Sequence, residues 1–161
     1  MTKLRRDALS VLKAGLNAIK TGPAVRRHCA LNGSKLSVGK HVFDLDGFRR
    51  VYVIGFGKAS LETAEELESI LGDRITDGIV LDVRRSKLRR IQSVKGTHPF
   101  PSEANRVATG KIMDLLKQAD SRDLIVTIVS GGGSALLCMP HKLTCDDLTL
   151  LTRALMSQGG D

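Results

Sequence analysis

The feature that most constrains this chain of 161 residues is a run of apolar residues that leads directly into three glycines. Residues 123–129 read Asp-Leu-Ile-Val-Thr-Ile-Val, and Ser-Gly-Gly-Gly-Ser follows at once. A nearly continuous apolar run of this length is typical of a strand buried in a parallel sheet. We therefore predict a buried parallel strand over 123–129, a glycine turn at its carboxyl end, and a short helix from Ser134 toward Cys138.

The same order of strand, turn and helix recurs along the chain, which indicates an α/β domain. Apolar runs predict further strands over 51–54 and 78–83, and residues 91–95 are a candidate third strand. Helical spacing and cap residues predict helices over 61–71, 103–119 and 144–157. Strands that alternate with helices predict a doubly wound, mostly parallel sheet, which is a Rossmann-like arrangement of three layers.

The first fifty residues predict a smaller unit ahead of this sheet. The spacing of apolar residues predicts an amphipathic helix over 3–20, and a second, short helix is predicted over 23–31. Asn32-Gly33 is a turn signal, and a small β-hairpin is predicted over 36–38 and 41–45.

The glycines after the last predicted strand indicate a site for an anion. In a doubly wound sheet, ligands bind at the carboxyl ends of the strands. Glycines there let backbone N–H groups approach an anion closely. A tight turn that needs a positive φ is the alternative explanation, but three glycines exceed what one such turn requires. We therefore interpret Ser130, Gly131, Gly132, Gly133 and Ser134 as ligand-binding residues.

The turn after the first predicted strand of the sheet, Gly55-Phe-Gly57-Lys58-Ala-Ser60, leaves two interpretations open. It is not a Walker phosphate loop, because Tyr52 stands where the first glycine belongs. It carries two of the three glycines of a dinucleotide fingerprint, with Ser60 in the third place and Asp82 as a candidate ribose-binding acid. Alternatively, Lys58 binds a phosphate or carboxylate, since the helix dipole disfavours a lysine at a helix start without such a role.

A proline-rich loop, His98-Pro-Phe-Pro101, follows the third predicted strand and is therefore expected at the same edge of the sheet. Its prolines restrict the backbone. His98 is a candidate to hydrogen-bond a substrate, and a structural histidine is the alternative. Ser102 is predicted to cap the helix that follows.

The net charge of +8 raises the question of a nucleic-acid partner. The densest basic run, residues 84–90, has no aromatic residue in it or next to it, and the chain contains one Tyr and no Trp. Aromatic side chains are the usual stacking platforms for single-stranded nucleic acid. A solvated surface is therefore the favoured interpretation of this run, and nucleic-acid binding stays an unfavoured alternative.

The sequence predicts neither a membrane-spanning segment nor a metal site. No apolar run approaches the ~20 residues that span a bilayer, and a cytoplasmic location is expected. The three cysteines, Cys29, Cys138 and Cys145, form no CxxC pair. His141 lies between the last two, but a structural zinc site usually has four ligands. The cysteines are therefore interpreted as buried or loop residues.

Three motifs, taken in order, resemble the N-terminal domain of the class II glycerate 2-kinases. They are Gly55-Phe-Gly57-Lys58-Ala59 after an apolar strand, His98-Pro-Phe-Pro101-Ser-Glu103-Ala104, and Ser130-Gly-Gly-Gly-Ser-Ala-Leu-Leu137 with Pro140 just after it. The helix around Leu151-Thr-Arg-Ala-Leu155 is also similar. The resemblance covers essentially the whole chain, and the combination is more specific than any single motif.

This resemblance implies ATP-dependent phosphorylation of D-glycerate to 2-phosphoglycerate with Mg²⁺, in a cleft between a Rossmann-like domain and a smaller second domain. It implies a substrate or transition-state role for Lys58 and a ligand-binding role for residues 130–134. Phosphoryl transfer depends on positioning and charge stabilisation, which a lysine and amide donors supply. Members of the family continue beyond the position of Asp161, and a catalytic arginine expected there has no counterpart. The resemblance therefore implies that residues 1–161 are an N-terminal domain whose second domain is missing.

Overall fold

The computed structural model describes residues 1–159 and has an α/β architecture. In chain order its elements are α1 (Lys3–Ala18), α2 (Thr21–His28), β1 (Cys29–Asn32), β2 (Lys35–Val38), β3 (His41–Asp44), β4 (Arg50–Phe56), α3 (Ser60–Leu71), β5 (Asp77–Asp82), β6 (Ile91–Lys95), α4 (Glu103–Leu116), β7 (Asp123–Val129), α5 (Gly133–Leu136) and α6 (Cys145–Ser157). Single turns of 3₁₀ helix follow β3 and α3. The strands and helices predicted after residue 50 are all present, within a few residues of their predicted bounds.

The main sheet contains β6, β5, β4 and β7 in that order, and all of its neighbouring strands are parallel. Counted along the chain, the strands are therefore third, second, first and fourth across the sheet. This order reverses direction between β4 and β7, and a ligand crevice forms where the order of a doubly wound sheet reverses. The doubly wound, Rossmann-like fold predicted from the sequence is confirmed.

Alternation along the strands supplies a core on each face of the sheet. Val51 and Val53 of β4 pack on the face that α3 covers, whereas Tyr52 and Ile54 pack on the face that α4 covers. Successive side chains of a strand point to opposite faces, so an apolar run such as that of β4 is buried on both sides. The two helical layers and the sheet between them form the predicted three-layer arrangement.

The N-terminal unit differs from the prediction. Residues 29–31, predicted as the end of a helix, belong to strand β1, which pairs antiparallel with β2. The predicted hairpin is therefore a three-stranded antiparallel sheet. The turn at Asn32-Gly33 explains the difference, because Gly33 with φ 61° reverses the chain and brings β1 against β2.

Strand β7 is parallel, as predicted, but it is not buried on both faces. It lies at one edge of the sheet, and Ile125 and Val129 are exposed. Helix α4 packs over β5 and β6, so it does not cover this face of β7. The apolar run alone predicts that both faces of β7 are covered. Whether they are covered depends on the position of β7 in the sheet, which is set by distant parts of the chain.

The peripheral helices have strong local signals. Thr144 caps α6 in a capping box, in which its hydroxyl accepts from the N–H of Asp147 and the Asp147 carboxylate accepts from the N–H of Thr144. Ser102 occupies the N-cap position of α4 as predicted, although its side chain bonds to Asn105 instead of a backbone N–H. Among the helices of residues 1–159, none is both long enough and apolar enough to cross a membrane.

Candidate functional site

The two glycine turns predicted as ligand sites are hydrogen-bonded to each other where β4 and β7 end. The N–H of Lys58 donates to the carbonyl of Gly131 at 2.9 Å, and the N–H of Ala59 donates to Ser130 Oγ at 3.1 Å. The N–H of Ser130 donates to the carbonyl of Phe56 at 3.1 Å. We call residues Ser130–Ser134 the glycine loop. Its position is therefore fixed by the turn after β4.

The turn after β4 uses its own amides internally. The N–H of Gly57 donates to the carbonyl of Leu81, that of Ser60 to the carbonyl of Gly57, and that of Leu61 to the Asp82 carboxylate. With Lys58 and Ala59 bonded as above, the five backbone N–H groups of residues 57–61 all have partners inside the protein. The backbone donors of this turn are therefore occupied, and its exposed group is the side chain of Lys58.

Gly55 and Gly57 make close contacts within the fold. Gly55 lies in β4, where an added methyl group would stand 2.8 Å from Val80 Cγ1. Gly57 has φ 121°, and an added methyl group would stand 2.1 Å from Ser130 Oγ. Both glycines let neighbouring segments approach each other, and their predicted contact with a ligand stays a prediction.

Asp82, the acid of the dinucleotide alternative, is fully buried. Its carboxylate accepts hydrogen bonds from the N–H of Leu61 at 3.0 Å and the N–H of Arg84 at 3.0 Å. Ser60, which stands in the third glycine position, is also buried and donates its hydroxyl to backbone carbonyls. Asp82 therefore caps α3, and the dinucleotide alternative is not favoured.

The glycine loop keeps backbone donors that its neighbours do not use. Within residues 1–159, the N–H groups of Gly131, Gly132 and Ser134 have no hydrogen-bond acceptor. Gly132 adopts φ 83°, while Gly133 packs so closely on Phe56 that an added methyl group would stand 2.9 Å from its ring. Successive free N–H groups beside a left-handed glycine are typical of a backbone anion site.

Lys58 and His98 both approach this loop. A methyl group added to Gly132 would stand 2.8 Å from His98 Nε2 and 3.2 Å from Lys58 Cε. Lys58 is exposed and makes no ion pair with any acidic side chain in the described part of the chain. The structure therefore brings a free cation, an imidazole and free amides to one place, as the three sequence motifs predicted.

An apolar cavity of about 780 Å³ opens beside this cluster. His98 and Ser134 line its end at the glycine loop, and Leu137, Met139, Leu148 and Met156 line the part nearer α6. A cavity of this volume is large enough for a drug-sized or nucleotide-sized molecule. Within the described residues the lining is mostly apolar and includes neither Lys58 nor Gly131 nor Gly132, so the cavity adjoins the cluster through His98 and Ser134.

Three of the five basic side chains in the run 84–90 pair with acidic side chains. Arg84 pairs with Glu62 at 3.0 Å, and Arg89 and Arg90 both reach Asp73. The Glu68 carboxylate accepts hydrogen bonds from the backbone N–H groups of residues 89–91. Such pairing is typical of a solvated protein surface. It also leaves less free positive charge for binding nucleic acid.

Two of the three cysteines are buried as predicted, whereas Cys29 is half-buried and begins strand β1. Cys138 and Cys145 are buried with their Sγ atoms 3.9 Å apart. Burial, followed by the neighbouring Cys145, raises the pKa of the Cys138 thiol to about 11. Among residues 1–159, no three His, Cys, Asp or Glu side chains are grouped closely enough to hold a metal ion.

The sequence analysis did not identify two polar residues of α4 behind the site. Asn105 and Thr109 are buried at 0% and 3% exposure, and both bond to the segment that follows the glycine loop. They share the inward stripe of α4 with Ala108 and Ile112. In the sequence, these two residues could have been noticed as polar residues within an otherwise apolar stripe of the predicted helix.

The fold is a doubly wound α/β domain that brings free backbone amides, Lys58 and His98 together where the strand order reverses. Residues 7–161 match the family model described as "Domain of unknown function (DUF4147)", and the chain belongs to that family. It is 30% identical to the glycerate 2-kinase of Pyrococcus horikoshii, covering 97% of this chain and 35% of that protein. It is 31% identical to the glycerate kinase of Danio rerio, covering 99% of this chain and 35% of that protein.

The solved structures agree with the fold. A crystal structure of a protein from Pyrococcus horikoshii superposes with a TM-score of 0.84 at 29% identity, covering 100% of this chain and 37% of that one. The resemblance to the glycerate kinases predicted from three motifs is thus confirmed. The chain spans about a third of the length of the curated relatives that it matches.

Proposed function

We propose that this chain supplies the phosphate-binding wall of a glycerate 2-kinase. The enzyme transfers a phosphoryl group from ATP to the 2-hydroxyl of D-glycerate, giving ADP, 2-phosphoglycerate and a proton. The observation that carries the proposal is the convergence of three free amides of the glycine loop with the exposed ammonium of Lys58. The names of the relatives support the choice of glycerate as the acceptor.

The chemistry assigned to this chain is electrostatic. Charge on the transferring phosphoryl group spreads over its peripheral oxygens, and fixed donors aimed at those oxygens lower the barrier. The N–H groups of Gly131 and Gly132 are held in place by the bonds to the turn after β4, so they need little reorganisation. Lys58 adds a mobile positive charge on the same side, and His98 adds a ring nitrogen that hydrogen-bonds a substrate oxygen.

ATP and Mg²⁺ are the cofactors of this proposal. The free amides and Lys58 suit the phosphates, and the adjoining, mostly apolar cavity suits the flat face of the adenine ring. The residues described here do not by themselves fit Mg²⁺, because they contain no group of three suitable ligands. No step on this chain is therefore assigned to the metal.

We also propose that a second domain completes the site, either in the same polypeptide or as a separate subunit. The relatives are about three times as long as this chain, which leaves room for such a domain. We expect it to close over the ligand edge of the sheet and to supply the remaining catalytic groups, and we place the enzyme in the cytoplasm.

The test is an assay of ADP and 2-phosphoglycerate formation by the complete gene product that contains this chain. Lys58→Met should lower kcat by about 100-fold or more, the usual cost of losing one transition-state donor. Lys95→Met is the matched control, because Lys95 is an exposed lysine at the end of β6, on the same edge of the sheet. Unchanged turnover in Lys58→Met would refute the role of Lys58, and a wild-type protein that does not phosphorylate glycerate would refute the function.

A further inference from the structure

Asn105 connects the two loops that form the candidate site. Its Oδ1 accepts from the N–H of Thr97 at 2.8 Å, and its Nδ2 donates to the carbonyls of Thr97 at 2.9 Å and Ala135 at 3.0 Å. Thr97 precedes His98, and Ala135 follows the glycine loop. One fully buried side chain therefore joins the His98 loop to the segment that carries the free amides.

Thr109, one turn further along α4, bonds to the same segment just after α5. Its hydroxyl accepts from the N–H of Cys138 at 3.0 Å and donates to the carbonyl of Asn105 at 2.9 Å. The two side chains thus bind the carbonyl of Ala135 and the N–H of Cys138, on either side of Leu136, which is itself buried. Both contacts are at the C-terminal end of α5 and just after it, and they hold this end against α4.

We propose that Asn105 and Thr109 are positioning residues for phosphate binding. They set the distance between His98 and the free N–H groups of Gly131 and Gly132 without touching the ligand. The inference rests on the proposed function only in taking the glycine loop as the phosphate site.

Only an amide side chain meets the demands at position 105. It must accept from one backbone N–H and donate to two backbone carbonyls, and Asn carries both an acceptor and a donor group. An apolar residue would leave all three backbone groups unpaired in a buried place, which is costly. A carboxylate would face two carbonyl oxygens. Gly96 also fits this arrangement, because a methyl group there would stand 2.9 Å from Asn105 Oδ1.

The experiment follows the ¹⁵N amide resonances of Gly131 and Gly132 during titration with inorganic phosphate. Wild-type protein should show saturable shifts at both residues. Asn105→Ala and Thr109→Val should each raise the Kd for phosphate at least about tenfold, as expected when buried partners are lost. Thr109→Ser, which keeps the hydroxyl, should restore a Kd close to that of the wild type.

Ile75→Val controls for loss of stability alone. Ile75 is fully buried just before β5, at the end of the sheet where the strands begin and opposite the candidate site. This variant should lower Tm without changing the Kd for phosphate. If Asn105→Ala fails to fold, the comparison of Thr109→Val with Thr109→Ser decides the matter.

Three outcomes would overturn parts of these proposals in different ways. A wild-type Kd in folded Asn105→Ala, or in folded Thr109→Val, would refute the positioning role. A wild-type protein that does not bind phosphate would refute both the site and the positioning role. Phosphate binding without phosphorylation of glycerate would refute the proposed function alone.

Discussion

Gly57 and Ser130 approach each other so closely that a methyl group on Gly57 would stand 2.1 Å from Ser130 Oγ. Because φ of Gly57 is also 121°, alanine there is disfavoured both by the contact and by the backbone. We expect Gly57→Ala to lower the free energy of unfolding by about 2 kcal/mol or more. It should also weaken phosphate binding, since the glycine loop must move away. Thermal denaturation and the phosphate titration measure the two effects.

Gly33→Ala separates the cost of the backbone conformation from the cost of the contact with Ser130. Gly33 also has a positive φ of 61°, but no atom lies within 4 Å of an added methyl group. This control should cost about 1 kcal/mol, the usual cost of a left-handed residue with a side chain. Equal losses for Gly33→Ala and Gly57→Ala would show that the contact with Ser130 contributes nothing.

Gly131 and Gly132 are adjacent in the glycine loop, but we expect their replacement by alanine to have different effects. Gly132 has φ 83° and stands against His98, whereas Gly131 has neither a positive φ nor a neighbouring atom within 4 Å of an added methyl group. Gly132→Ala should therefore displace His98 and abolish phosphate binding. Gly131→Ala should change the free energy of unfolding by less than about 0.5 kcal/mol. The prediction fails if Gly132→Ala binds phosphate as tightly as the wild-type protein.

Local sequence signals predicted most of the fold after residue 50. Three of the four strands of the main sheet, β4, β5 and β7, are apolar runs that end at a glycine, a charged residue or a serine-glycine turn, and these signals act within a few residues. The assignment of residues 29–31 to a helix failed because their strand partner, β2, lies across a turn. The edge position of β7 also depends on strand order, which no local pattern contains.

The candidate site was predictable in its residues but not in its bonding. The motifs placed Lys58, His98 and the glycine loop at one edge, and the structure brings them together. That the amides of residues 57–61 are occupied depends on partners such as Leu81 and Asp82, about twenty residues away. The role of Asn105 depends on Ala135, which is thirty residues away. Such pairings come from tertiary packing.

An ion pair where β4 and β7 begin, at the end of the sheet opposite the candidate site, predicts that stability depends on pH. Arg50 and Asp123 are register partners on β4 and β7, and the Arg50 guanidinium donates two bonds to the Asp123 carboxylate, at 2.6 and 3.0 Å. These bonds from Arg50 hold the pKa of Asp123 well below its usual range. The side chain of Asp123 is fully buried, so water screens the pair less than it screens a surface pair.

The sign of the effect follows from the lowered pKa. Below the pKa of the unfolded chain, about 3.9 for Asp, the unfolded state binds a proton that the folded state does not, so stability falls with falling pH. Asp123→Asn should therefore lower Tm at pH 7, and its difference from the wild type should shrink as the pH falls below about 4. Asp114→Asn removes an exposed ion pair with Lys117 and should have little effect at either pH. A constant difference in Tm from pH 7 to pH 3 would contradict this account.

The last prediction concerns the reactivity of Cys138. Burial is the largest cause of its raised pKa, which is about 11, so very little thiolate exists at pH 8. Because the thiolate is the reactive form, we expect iodoacetamide to modify Cys138 roughly 100-fold more slowly in the folded protein than in urea. Peptide mass spectrometry after timed quenching distinguishes Cys138 from the half-buried Cys29. Cys145→Ala should leave Cys138 slow to react, because its burial outweighs the contribution of the neighbouring thiol. Equal rates for Cys138 in folded and unfolded protein would show that this thiol is not held in a closed environment.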